Sequence, residues 1–128
     1  MAKFLSQEWL DLQKSAAQSF PERPGATARM QYKITGAPDG DVTFHTVIDN
    51  GKIVENARGE DPAAEFTMAV SYDDFVKTSK GELDANAAFM QGRIKVTGNM
   101  GKLMSLMPLT QSPEYKDIAE KLNAQTEY

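Results

Sequence analysis

The chain has little of the chemistry that most catalytic and metal sites use. Its 128 residues include no cysteine, one histidine and one tryptophan. Without cysteine, the chain forms no disulfide framework and no thiolate metal site, and it has no thiol nucleophile. The histidine, His45, lies in a predicted strand with no catalytic motif around it, so we expect an ordinary residue of a sheet surface.

The chain also lacks a surplus of positive charge and any long apolar run. The 18 acidic and 14 basic residues give a net charge of −4, which disfavours nonspecific binding to nucleic acid. No stretch is long enough to span a bilayer, and Glu8 and Asp11 interrupt the region where a signal peptide needs its apolar core. We therefore expect a cytoplasmic protein without a nucleic-acid partner.

The length and the composition favour one globular domain that spans residues 1–128. Apolar and polar residues alternate in five segments, which predicts half-buried strands. These strands lie at residues 28–34, 42–49, 52–58, 66–70 and 93–97. Asn50-Gly51 separates the second from the third, and this dipeptide is typical of a two-residue hairpin turn.

Helices are predicted before, between and after the strands. Ser6 is positioned to cap a first helix, in which Trp9, Leu12, Ala16 and Phe20 share one face. Further capping residues stand at Ser71, Asp84 and Ser112. Together with the strands, these helices predict an α+β fold.

Methionine is concentrated in one region, because four of the seven fall between Met90 and Met107. Met100, Leu103, Met104 and Met107 recur at helical spacing, and Pro108 predicts the end of that helix. Methionine is flexible and polarizable, so it suits the wall of a cavity whose contents vary in shape. From periodicity alone, an ordinary core helix is the simpler interpretation.

No motif predicts a catalytic centre, a metal site or a cofactor. Asp73-Asp74 suits the first turn of a helix, and Glu60-Asp61 suits a solvated loop. The glycines of Gly98-Asn-Met-Gly101 lack the third glycine of a dinucleotide-binding loop and the lysine of a P-loop, so we interpret them as turn formers.

A family resemblance changes the balance between these interpretations. Residues 61–109 contain Asp61-Pro62, Met68-Ala-Val-Ser-Tyr-Asp-Asp-Phe75 and Gly81-Glu-Leu-Asp84, followed by Ala88-Phe-Met-Gln-Gly-Arg-Ile-Lys-Val-Thr-Gly-Asn-Met-Gly101. This segment closely resembles the sterol carrier protein 2-like family, whose order of helices and strands agrees with nearly the whole chain. The resemblance implies a five-stranded, mostly antiparallel sheet with helices packed on one face, which together enclose a hydrophobic tunnel.

The resemblance implies a noncatalytic carrier rather than an enzyme. Members of the family hold a fatty acid, a fatty acyl-CoA, a sterol or an isoprenoid-like lipid. We also expect transient contact of this chain with a membrane or an enzyme, and no nucleic-acid partner. Two alternatives remain open. In the first, the chain is an accessory subunit that presents a lipid to a partner enzyme. In the second, it is a small isomerase or cyclase with an apolar pocket, and Tyr72 with Asp73 is then the best candidate for its catalytic pair.

The resemblance also implies which residues form the lipid-binding wall. The sheet and the short helices would contribute Phe66, Met68, Phe75, Phe89, Met90, Ile94 and Val96. The last two helices would form a movable side with Met100, Leu103, Met104, Met107, Tyr115, Ile118 and Leu122.

Overall fold

The computed structural model describes residues 2–128, and its main sheet has five strands. They are β2 (Ala28–Thr35), β3 (Val42–Asp49), β4 (Lys52–Arg58), β5 (Phe66–Ser71) and β6 (Ile94–Gly98). Their order in the sheet is β4-β3-β2-β5-β6. Three of the four neighbouring pairs are antiparallel, and β2 and β5 pair in parallel. The predicted five-stranded, mostly antiparallel sheet is confirmed.

Alternation along the strands places one apolar side of the sheet in the core, as the pattern predicts. In β3, for example, Val42, Phe44, Thr46 and Ile48 are buried, and the three residues that alternate with them are half-buried on the opposite face. The hairpin between β3 and β4 is also confirmed. Asn50 and Gly51 both have positive φ angles, of 49° and 86°, which is the conformation that the turn requires.

In the described part of the chain, five helices cover the apolar face, and each begins after a residue whose side chain caps it. Ser6, Ser71, Asp84 and Ser112 accept hydrogen bonds from backbone N–H groups of the first turn, as predicted, and Asn99 does the same for the fourth helix. The helices are α1 (Gln7–Ala17), α2 (Tyr72–Ser79), α3 (Ala85–Met90), α4 (Met100–Thr110) and α5 (Pro113–Ala124). Within residues 2–128, no helix has both the length and the apolar character needed to cross a membrane.

The two ends of the chain meet in a short parallel pair that the alternation pattern does not reveal. Strand β1 (Ala2–Lys3) pairs with β7 (Thr126–Glu127). The Trp9 indole N–H donates to the Thr126 hydroxyl at 3.1 Å, and this buried bond ties the end of the chain to α1. Strands of two residues are too short to show an alternation, so only the tertiary structure identifies them.

Two predictions about helix geometry are wrong in detail. Pro108 does not end α4, which continues to Thr110. Proline removes one backbone hydrogen bond there, but the buried side chains of Leu106 and Leu109 hold the last turn against the core. Helix α1 ends at Ala17, so Phe20 lies beyond it, although its side chain is buried. Of the predicted face, Trp9 is buried and Leu12 packs against the core, and Leu10 and Ala17 are buried as well.

Gly98 ends β6 in a conformation that no other residue adopts without strain. Its φ angle is +109°, and a Cβ atom would lie 2.6 Å from the Glu65 carbonyl oxygen and 2.8 Å from Cα of Phe66. The Asn99 N–H donates to the same carbonyl at 2.8 Å. The close approach of β6 to β5 and the immediate start of α4 therefore both depend on glycine at this position.

Candidate functional site

A cavity of about 260 Å³ lies between the apolar face of the main sheet and the helices. This volume is slightly below the roughly 300–1,000 Å³ of typical small-molecule sites. The strands line it with Met30, Tyr32, Phe44, Thr46, Ile48, Ile53, Met68, Val70 and Ile94. The helices and the segments after them line it with Trp9, Gln13, Ala17, Phe20, Phe75, Thr78, Ser79, Ala85, Leu106, Leu109, Tyr115, Ile118, Ala119, Leu122, Asn123, Thr126 and Tyr128.

The wall of the cavity is uncharged. Among the described residues that line it, none is aspartate, glutamate, lysine, arginine or histidine. Its polar side chains are largely engaged with one another or with the backbone. The Thr46 hydroxyl donates to the Asn56 side-chain oxygen at 2.6 Å, and the Asn56 amide donates to the Leu10 carbonyl and to the Gln13 side-chain oxygen. An apolar molecule would therefore meet few groups that need water.

Aromatic rings form part of this wall on both the sheet side and the helix side. Tyr32 of β2 stacks on Phe44 of β3, with ring centroids 4.6 Å apart, and Phe75 of α2 lies 5.8 Å from Tyr32. Tyr115 of α5 contributes a second phenol and packs beside Phe20, at 6.0 Å. Burial raises the pKa of both Tyr32 and Tyr115 above the ordinary value, so both phenols are protonated at neutral pH.

Part of the predicted lipid-binding wall lies at this cavity. Six of the predicted residues line it: Met68, Phe75, Ile94, Tyr115, Ile118 and Leu122. Three others pack against the same hydrophobic core without lining the cavity. Phe66 is fully buried, whereas Val96 and Leu103 are half-buried. Met107 is also half-buried.

The remaining predicted residues lie on the outside of the molecule. Phe89, Met90, Met100 and Met104 are exposed, Met90 to 85 % and Met104 to 63 %. In α4 the buried positions are Leu106 and Leu109. Met104 precedes Leu106 by two residues, which places it about 200° around the helix, on the opposite side. Met100 and Met104 of α4 therefore face away from the cavity.

The prediction omitted several residues that the structure places at the cavity. Trp9 and Gln13 come from α1. This helix resembles the family through its position in the order of helices and strands more than through a sequence motif. Tyr32, Phe44 and Thr46 lie on the apolar side of strands whose alternation was visible. The sequence signal for the strand residues was therefore present, but it identified a buried face and not a cavity.

The residues considered above as catalytic candidates lie outside the cavity. His45 contacts the Gly59 carbonyl oxygen at 2.9 Å and the Glu55 carboxylate at 3.3 Å, on the face of the sheet away from the helices. Tyr72 does not line the cavity, and Asp73 is exposed. In residues 2–128, no group of three or more histidine or acidic side chains is arranged to hold a metal ion.

Comparisons with known proteins agree with this architecture. The family model of the SCP-2 sterol transfer family matches residues 8–111. Human sterol carrier protein 2 is 33 % identical over 85 residues, which is 64 % of this chain and 15 % of the human protein. The chain thus spans only a small part of that relative's length.

Solved structures of sterol carrier proteins share the fold at lower sequence identity. A crystal structure of sterol carrier protein 2 superposes with a TM-score of 0.75 at 15 % identity, over 92 % of this chain and 98 % of the other. The solution structure of palmitated SCP2L2 from Aedes aegypti has a TM-score of 0.64 at 18 % identity, over 84 % and 96 % of the two chains.

Proposed function

We propose that this chain, which belongs to the SCP-2 sterol transfer family, is a noncatalytic carrier that holds one lipid-like molecule in the cavity between its sheet and its helices. The observation that carries the proposal is the uncharged, largely apolar wall of that cavity. Each methylene group moved from water into such a wall contributes about 0.8 kcal/mol, so an acyl chain binds without much polar recognition. The palmitated state of the mosquito relative supports a ligand of this kind.

In this proposal, residues 1–128 form a single cytoplasmic lipid-binding domain. A fatty acid, a fatty acyl-CoA, a sterol and an isoprenoid-like lipid all fit the description of the ligand, because an apolar wall discriminates weakly between chains that differ by a methylene group. A ligand longer than the present cavity requires the surrounding helices to move outward. The extended tunnel that the family resemblance implies would arise by such a movement.

The test is saturable binding of a fluorescent fatty acid to delipidated protein, together with native mass spectrometry of freshly purified protein. We expect one molecule per chain and a co-purified apolar compound that organic solvent extracts. Failure of the folded, delipidated protein to show saturable binding would contradict the carrier function.

A cavity-filling variant locates the site. Ala119→Phe places a ring in the cavity wall, and it should lower the affinity for the fatty acid at least about tenfold, because the ring occupies the ligand's space. Ala124→Phe is the matched control on the same helix, since Ala124 is exposed and lies outside this cavity. If both variants bind as tightly as the parent, the ligand is bound elsewhere.

A second proposal keeps the binding site but changes its use. As an accessory subunit, the chain would present its lipid to a partner enzyme, and transient contact with that enzyme or with a membrane would then be part of its function. Four large apolar side chains, Phe89, Met90, Met100 and Met104, are exposed outside the cavity and would supply the apolar part of such a contact. Co-purification of an enzyme with the intact chain distinguishes this use from free transport.

A further inference from the structure

The cavity contains two phenol groups whose hydrogen-bonding capacity the protein does not use. We propose that Tyr32 and Tyr115 form a donor pair that binds an uncharged oxygen acceptor on the lipid, as an alcohol, a ketone or an ester presents. This inference rests on the proposed carrier function and narrows it to a class of ligand.

The two tyrosines differ from the three threonines and from the third tyrosine of the same wall. The Thr46 hydroxyl donates to the Asn56 side chain. The hydroxyls of Thr78 and Thr126 each donate to a backbone carbonyl three or four residues earlier in the chain. The Tyr128 hydroxyl donates to the Asn123 side-chain oxygen. The phenol hydroxyls of Tyr32 and Tyr115, in contrast, have no hydrogen-bond partner among residues 2–128. Both tyrosines line the cavity, so an acceptor placed there can receive these unused hydrogen bonds.

Tyr32 and Tyr115 come from opposite walls. Tyr32 stands on the second strand of the main sheet, and stacking on Phe44 limits the movement of its ring. Tyr115 stands in the first turn of α5, and contact with Phe20 supports its ring. Both rings line the same cavity and pack against the same hydrophobic cluster. An oxygen acceptor with two lone pairs, held between the two walls, can accept from both hydroxyl groups.

The absence of charge selects the kind of acceptor. No described residue of the wall supplies a cation, and both phenols are neutral at physiological pH because burial raises their pKa values. A carboxylate or a phosphate placed between them would lose its hydration without gaining a counter-charge, which is costly. A hydroxyl or carbonyl oxygen needs only hydrogen-bond donors. An ionised fatty acid would keep its carboxylate at the solvent and place only its chain in the cavity.

The test compares octanol, octanoate and octane, which share a chain length, by displacement of the bound fluorescent fatty acid. Tyr32→Phe and Tyr115→Phe keep the rings and remove the donors. For octanol we expect about fivefold weaker binding with each single variant and about 25-fold with both, which is the usual value of a neutral hydrogen bond. Octane and octanoate should change less than about twofold. Tyr72→Phe, outside the cavity wall, is the matched control and should change none of the three.

The outcomes separate this inference from the carrier function. If the parent does not bind the fluorescent fatty acid, the carrier function fails. If the parent binds this probe but octanol does not displace it, the donor-pair proposal alone is overturned. If the parent binds octanol but the double variant still binds it normally, the phenols hold only water and the donor-pair proposal is overturned. An equal loss for octanol, octane and octanoate also overturns it, because that result indicates a change in the shape of the cavity and not a lost donor.

Discussion

The two faces of the main sheet use the same strands but are stabilised in different ways. On the face towards the helices, Phe44 and Ile34 are buried, and aromatic and aliphatic side chains pack against one another. On the other face, Arg29 donates to the Asp61 carboxylate at 2.9 Å, and the Gln31 side chain bonds to the Thr67 hydroxyl and to the Asp61 N–H. One face is thus stabilised by burial and the other by directed polar contacts.

This difference explains how the sheet is held in place on one face while its other face lines a cavity. The segment of residues 59–65 is fixed to the polar face by bonds to Arg29, Gln31 and His45. Those bonds need no apolar volume, so the opposite face is free to present apolar side chains to a space that a ligand can fill. The polar contacts hold the strands in place while the apolar face leaves room for the cavity.

The largest expected effect comes from removing an aromatic ring from the apolar face. Phe44→Ala should lower the free energy of unfolding by about 3–5 kcal/mol, because it deletes a fully buried ring and enlarges the existing cavity. Val47→Ala in the same strand, on the polar face, should cost less than about 1.5 kcal/mol. Urea unfolding of both variants measures this contrast, and equal losses would mean that the two faces contribute alike.

A smaller effect, dependent on pH, is expected on the polar face. The hydrogen bond from Arg29 holds the pKa of the Asp61 carboxyl below its usual range. A lowered folded-state pKa stabilises the fold above the unfolded value of about 3.9, and this contribution is lost as the pH falls through the folded-state pKa. Asp61→Asn should therefore be less stable than the parent at neutral pH and show a shallower loss of stability below about pH 4.

Urea unfolding midpoints measured between neutral and acidic pH test this expectation. Glu60→Gln is the matched control, because Glu60 is the neighbouring acid and its side chain is exposed. Its stability should follow the parent at every pH. If Asp61→Asn also follows the parent, the Arg29–Asp61 pair contributes nothing to the polar face.

The smallest effect is expected on the outer side of α4. Met104 is 63 % exposed, so Met104→Lys should change the free energy of unfolding by less than about 0.5 kcal/mol. The affinity for a fluorescent fatty acid should also stay within about twofold of the parent, as it should for Ser105→Lys, an exposed control in the same helix. Lost affinity with an unchanged thermal midpoint would instead place Met104 at the ligand.

Much of the fold follows from local sequence signals. Alternation defines the strands, Asn50-Gly51 defines the hairpin, and the caps at Ser6, Ser71 and Ser112 define where helices begin. These signals are readable because each depends on the conformation of a few neighbouring residues. Gly98 belongs with them, since the need for a positive φ angle is a local property.

The sequence by itself determined the elements, their order and the family, but only the tertiary structure decided which side chains face the cavity. Helix α4 shows why, because Met100, Leu103, Met104, Leu106, Met107 and Leu109 leave few polar positions to mark its outer side. Where apolar residues occur all around a helix, periodicity does not select the buried face. That face is selected by distant partners such as Phe66, which share a core with Leu106 and Leu109. Tyr32 and Tyr115, 83 positions apart, are likewise brought to one cavity only when the sheet and α5 pack together.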